Sequence, residues 1–218
     1  MSSLVRFVNT AMKSIHRTRL AATDRREQLI SIAMNHIATK GFEGLRFQDV
    51  AKEAGINNAT LYYHFPTKEA LIQGVVASLF EEVKKTRGSR NNKPASALDE
   101  VRVEFSDLSE LLHRRPRIFV VLTELSLRGL RDPAIGKMEE NRDGCWREHL
   151  SGIVRRGVKQ GVFRRDIRLE PVVTALMAQF KGIGYHAVLG KRKGREIDQT
   201  ITEIARQVEH YVVCGSGS

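Results

Sequence analysis

Between Phe47 and Leu71 the chain reads FQDVAKEAGINNATLYYHFPTKEAL, and this segment restricts the possible folds more than any other. Val50, Ala51 and Ala54 stand at i, i+1 and i+4, an apolar stripe on one helical face, and Gly55 tolerates the left-handed backbone of a helix stop. Asn57 can cap a second helix through its side-chain oxygen, and Leu61 with Phe65 forms an i, i+4 pair able to anchor that helix to a core. Pro66 ends it and Thr67 can cap a third. Two short helices joined by a glycine turn, with a third following at once, make a helix-turn-helix unit.

The second of these helices keeps its chemistry on the outside. Asn58, Thr60, Tyr62, Tyr63 and His64 lie opposite the anchoring pair, more hydrogen-bonding and aromatic groups than so short a helix needs for its own stability. Such a face suits the major groove of DNA. Lys68 sits in the first turn of the next helix, where a cation opposes the helix dipole and gains nothing locally, so the expectation is a phosphate partner.

The run Ala51, Ala54-Gly55, Thr60-Leu61-Tyr62, His64-Phe65, Lys68 and Leu71, preceded by Gly41-Phe42, resembles the signature of the TetR family of bacterial transcriptional regulators. It fixes about ten positions across some forty residues, which separates it from a short-motif coincidence, and it covers roughly Asp24 to Val75. The resemblance implies an all-α homodimer in which three N-terminal helices bind DNA and a larger C-terminal helical bundle dimerises and holds a small effector. By the same resemblance the DNA-facing set is Asn57, Asn58, Ala59, Thr60, Tyr62, Tyr63 and His64, together with Gln48, Arg46 and Lys68. Arg46 departs from the family pattern, which commonly has a capping threonine there; arginine can reach phosphate but cannot cap in that way.

Charge adds a constraint on partners. The 218 residues carry a formal net charge of +11, which favours a polyanion. The helix-turn-helix region itself is neutral, since residues 24–72 hold six basic and six acidic side chains. Residues 1–23 contain Arg6, Lys13, Arg17 and Arg19 without an acid, a basic arm that could track phosphate or enter a minor groove. The same composition fits a solvated tail or, less well beside a bacterial-looking domain, an organellar transit peptide. No apolar run approaches the ~20 residues of a membrane span, and a cytoplasmic protein is expected. Two cysteines, Cys145 and Cys214, without metal-ligand spacing indicate neither a disulfide scaffold nor a zinc site. No nucleophile elbow, phosphate-cradling glycine loop or paired histidine ligands appear, so neither an enzyme nor a cofactor is expected.

Asp24 with Glu27 reads as a capping box, followed by Leu29, Ala33 and Ile37 on one helical face up to a stop at Gly41. A fourth helix from Lys68 to about Arg87 links the DNA-binding domain, residues 24–72, to a regulatory and dimerisation domain, residues 73–213, with a polar break at 88–94 and a tail at 214–218. Leu98, Val101, Phe105, Leu108 and Leu112 keep helical spacing; Pro116 ends that helix and opens another through Ile118 to Leu127. Asp132-Pro133 starts a long helix through Met138, Trp146, Leu150 and Ile153 that ends near Gly161.

From Pro171 to Leu189 apolar residues surround nearly the whole helical wheel, which requires burial on two sides, the second against another subunit. With the final helix, Val172, Leu176, Phe180, Ile183, Ile197, Ile201, Ile204, Val208 and Tyr211 are the expected dimer seam. Phe105, Leu108, Leu112, Phe119, Leu122, Trp146, Leu150, Met177 and Phe180, with Arg142 and His149 on the same side, are candidates to line an effector cavity, although residues at such spacing also make plain core. The leading expectation is therefore a repressor released from a palindromic DNA operator by an unidentified small-molecule effector. The alternative is an architectural or partner-controlled DNA-binding protein without a small-molecule pocket.

Overall fold

The computed structural model describes residues 24–88, 94–190 and 194–213, and among them the regular structure is entirely helical. The basic arm, the centre of the polar break and the C-terminal tail with Cys214 lie outside the described residues. Helix α1 covers residues 24–40 among the described residues, and Asp24, expected to cap it, is itself helical. Its apolar face of Leu29, Ala33 and Ile37 is fully buried, and Gly41 follows with φ 69°.

Helices α2 (Phe47–Glu53) and α3 (Asn58–His64) are joined by the turn at Gly55. Gly55 has φ 67°, a conformation that costs an L side chain roughly 1–2 kcal/mol, and the Ile56 amide donates back to the carbonyl of Ala51 at 3.0 Å. Asn57 caps α3 by accepting from the Thr60 amide at 2.8 Å, whereas Arg46 begins α2 without a side-chain cap. Helix α4 (Lys68–Gly88) opens with Thr67 accepting from the Ala70 amide at 3.1 Å.

The chain divides into two compact units within α4, Met1–Phe80 and Glu81–Ser218. The second unit contains α5 (Ala97–Arg114), α6 (Arg117–Gly129), α7 (Pro133–Gln160), α8 (Leu169–Leu189) and α9 (Arg195–Val212). Asp132 caps α7 through the amides of Ala134 and Ile135, with Pro133 at its first position, and Gly161 ends it in the left-handed region. Ser96 caps α5 by accepting from the Asp99 amide at 3.2 Å, and its hydroxyl donates to the Asp99 carboxylate at 2.8 Å.

Val101, Phe105, Leu108 and Leu112 of α5 bury against Leu150, Ile153 and Val154 of α7 and against Val173, Leu176, Met177 and Phe180 of α8. Side-chain pairs tie the bundle at its surface: Arg102 donates two bonds of 2.9 Å to Glu209 of α9, and Arg156 of α7 donates to Glu100 of α5 at 3.0 Å. Helices α6 and α8 meet closely at Gly184, where an added Cβ would stand 2.3 Å from the Phe119 ring. Only glycine admits that ring.

Candidate nucleic-acid interface and regulatory core

Helix α3 rests on a single buried residue, Leu61, with Phe65 buried at its C-cap. Everything else on it faces outward or is half-buried. Asn57, Asn58 and Ala59 are exposed at its start, and Tyr62 and Tyr63 are 52% and 83% exposed. The Tyr62 ring lies 5.0 Å from Phe47 of α2, and Tyr63 meets His64 edge-on at 5.4 Å, so both tyrosines are held at one edge and open at the other. Thr60 is the least available of the expected contacts, because its hydroxyl donates to Asn57 at 2.9 Å. Gln48 and Arg46 are exposed on and before α2.

The unit is braced from behind. His36 of α1, 6% exposed, pairs with Glu53 at the end of α2 at 2.7 Å, and Arg26 lies 4.6 Å from the Phe65 ring centre. Lys68 corrects one expectation: its ammonium donates to the carbonyl of Phe42 at 3.0 Å, so it does gain a local partner and stitches α4 to the end of α1. That bond uses one of three donors. Neither the Lys68 tether nor the His36–Glu53 pair has a spacing signal, since their partners are 26 and 17 residues apart.

Residues 29–75, which include this unit's three helices from the second turn of α1 onward, match the family profile described as bacterial regulatory proteins, tetR family. The chain belongs to the TetR family. It is 27% identical over 200 residues to the transcriptional repressor KstR2 of Rhodococcus jostii, spanning 89% of this chain and 92% of that one. It is 25% identical over 196 residues to the transcriptional regulator CymR of Pseudomonas putida, spanning 85% and 91%. In fold it is similar to a transcriptional regulator of Saccharomonospora viridis solved in complex with choline, with a TM-score of 0.78, 24% identity and coverage of 88% of this chain and all of that one. This TetR-family protein is a DNA-binding transcriptional regulator with an N-terminal helix-turn-helix domain and a C-terminal helical domain. No helix among its described residues is long and apolar enough to cross a membrane.

In the regulator's C-terminal unit the expected cavity residues fall into two groups. Phe105, Leu108, Leu112, Leu150, Met177 and Phe180 are buried in one core, with Phe119 and Trp146 partly buried against it and Leu122 half-buried on α6. Phe105 stacks on Phe180 at 4.7 Å and Trp146 meets Phe180 edge-on at 5.6 Å, so these rings fill space between α5, α7 and α8. The Trp146 Nε1 donor is buried without a hydrogen-bond partner among the described residues. The two expected polar groups are engaged by acids: His149 pairs with buried Glu104 at 2.8 Å, and Arg142 lies 2.8 Å from Glu139 and 3.0 Å from Asp143. Burial alone would raise the Asp143 carboxyl, but a hydrogen bond from Lys181 and the nearby Arg142 charge outweigh it and hold its pKa below the ordinary value.

Burial places most of the expected dimer seam on the inward side of its helices. Val172, Leu176, Phe180, Ile183, Ile197, Ile201 and Val208 are buried in the chain's own core, leaving little area for another subunit to cover. Ile204 is partly buried, and only Tyr211, 48% exposed, remains open. The reason is angular: these residues share the inward face of their helices, while the opposite face of α8 presents Ala175, Ala178, Gly182, Tyr185 and Leu189, all exposed except half-buried Gly182. A groove of about 240 Å³ between α8 and α9 is lined by Gln179, Gly182, Ile183, His186, Ala187, Ile197, Thr200 and Ile204, none of them an expected cavity residue.

Proposed function

We propose that this regulator acts in the cytoplasm as a homodimeric repressor of a near-palindromic operator, released when a small-molecule effector binds the C-terminal unit. Residues 24–72 read DNA, and residues 73–213 dimerise and respond to the effector. The observation that carries the reading is α3, which buries Leu61 alone and leaves Asn58, Tyr62, Tyr63 and His64 on its outer face, the arrangement a helix entering the major groove requires. Asn57, Ala59, Thr60, Gln48, Arg46 and Lys68 complete the contact set. Exposed Arg46 and the two unused donors of Lys68 are suited to backbone phosphates, which position the helix without reading sequence.

The outward face of α8 supports dimerisation, because Ala175, Ala178 and Gly182 allow close helix approach and Tyr185 and Leu189 supply apolar area. The groove beside it contains Gln179 Oε1, buried without a hydrogen-bond partner among the described residues, which a donor from the second subunit would satisfy. An effector site is supported by the buried Trp146 donor beside the Phe105–Phe180 stack and by the choline bound in a protein of similar fold. The close packing of those rings favours the second reading, a DNA-binding protein without a small-molecule pocket.

Footprinting of the purified protein on genomic fragments supplies the operator, and fluorescence anisotropy then tests the site. Tyr62→Ala is expected to weaken operator binding by about 1–3 kcal/mol, or roughly tenfold to a hundredfold, the range for a specific base contact. An unchanged affinity would remove α3 as the reading helix. A thermal-shift screen of small molecules separates the two readings: a hit that also releases operator supports the effector-released repressor.

A further inference from the structure

The two tyrosines of α3 differ in what holds them. Tyr63 is 83% exposed, and the ring it meets is that of His64, the next residue on the same helix. Tyr62 is 52% exposed, and its ring lies 5.0 Å from that of Phe47 with a tilt of 48°, a contact that crosses from α3 to the first residue of α2. That separation is within the ~4.5–7 Å over which aromatic rings attract one another. One turn back on its own helix Tyr62 has Asn58 and Ala59, side chains too short to hold a phenol ring. Phe47 therefore supplies the restraint that α3 itself does not.

Phe47 is placed for this task. It continues the α2 stripe of Val50, Ala51 and Ala54 back to the helix start, yet those three are buried and Phe47 is only half-buried. A ring needed for the core alone would sit deeper; this one stands between the exposed Arg46 and Gln48, against a tyrosine of the open face of α3. Arg46 gives α2 no side-chain cap, so the ring contact also ties the uncapped start of α2 to α3. A side chain free to turn loses that freedom on binding, and one already held loses less.

We propose that Phe47 is a positioning residue for DNA recognition: its ring fixes the orientation of the Tyr62 ring in the free protein, so that this contact is ordered before DNA arrives. Phe47 acts through Tyr62 and not on DNA itself. Tyr63, which has no such support from α2, is ordered on binding. The inference rests on the reading of α3 as the groove-entering helix and of Tyr62 as one of its contacts.

The test is a double-mutant cycle in the full-length protein, read by anisotropy on a fluorescein-labelled operator duplex. Phe47→Leu keeps an apolar side chain and removes the ring, and is expected to weaken operator binding roughly threefold to tenfold, the range for one side chain that must be ordered on binding. In the Tyr62→Ala background the same substitution is expected to change affinity by less than about twofold, because the partner through which it acts is gone. Phe47→Tyr keeps a ring and should bind like the unaltered protein. A role confined to stabilising α2 would weaken binding equally with and without Tyr62, and that result overturns the positioning role while leaving α3 intact. Full operator affinity in Phe47→Leu, or a loss in Phe47→Tyr as large as in Phe47→Leu, does the same. Should Phe47→Leu unfold at the assay temperature, Phe47→Met, a flexible filler without a ring, takes its place in the cycle with the same expected outcomes. Unchanged affinity in Tyr62→Ala alone overturns both readings.

Discussion

Helices α3 and α8 both leave a face uncovered, and they leave it uncovered in different chemical terms. In α3 the open face holds amides, hydroxyls, an imidazole and two tyrosines on seven residues, with one buried anchor. In α8 the open face holds alanines, a glycine, a tyrosine and a leucine on 21 residues, behind seven that are buried. Water solvates the first face well and the second poorly. A partner of α3 must offer hydrogen-bond donors, acceptors and flat rings; a partner of α8 must offer apolar area and allow close backbone approach. DNA matches the former and a second copy of the helix the latter. The division of work proposed for the two units follows from what each exposes.

Truncating the anchors of the reading unit should give the largest stability loss. Phe65→Ala removes a side chain that is 1% exposed and packed under Arg26, and a loss of about 3–5 kcal/mol is expected in urea unfolding. Next comes the contrast within α8. Leu176→Ala on the inward face should cost about 2–5 kcal/mol of unfolding free energy, whereas Ala178→Glu, two residues on and on the outward face, should leave the folded chain intact and shift sedimentation from dimer to monomer. If both variants unfold the chain alike, α8 has no second partner. Asn57→Ala removes the α3 cap and should cost about 0.5–2 kcal/mol, while Tyr63→Ala, nearby but exposed, should stay within ~0.5 kcal/mol and show its effect in DNA binding alone.

The smallest effect concerns acid. Asp143 joins α7 to Lys181 of α8, and its pKa lies below its ordinary value of 3.8. A depressed carboxyl contributes stability that is present above that ordinary value and lost as pH falls below it through the folded-state pKa. Asp143→Asn is accordingly expected to flatten the acid limb of thermal stability below about pH 4 and to change little at neutral pH. An acid limb identical in the two proteins would show that the pair adds no stability.

Much of the reading unit was legible because its determinants are local. The turn at Gly55, the caps at Asn57 and Thr67, and the stop at Pro66 each depend on a residue's own backbone preference or on a partner within three positions, which a linear pattern displays directly. The same holds for Asp132-Pro133 and Gly161 at the two ends of α7. Helix α1 was harder, since Asp24, a plausible cap, is itself helical. Lys68 was misjudged for a related reason: its partner, the carbonyl of Phe42, is 26 residues away and has no signature of its own.

From its residues alone, this chain determined that it would be helical, where most of its helices begin and end, and that a short helix with a polar, aromatic face would follow a glycine turn. These follow from capping, from glycine and proline stereochemistry, and from the 3.6-residue period, all of which act over a few neighbours. Only the tertiary structure decided which side of α8 the core would claim, that Phe105, Trp146 and Phe180 would pack together, and that His149 and Arg142 would face acids. A helix apolar on every side has no preferred face until the helices around it cover one, and that choice is made by long-range packing.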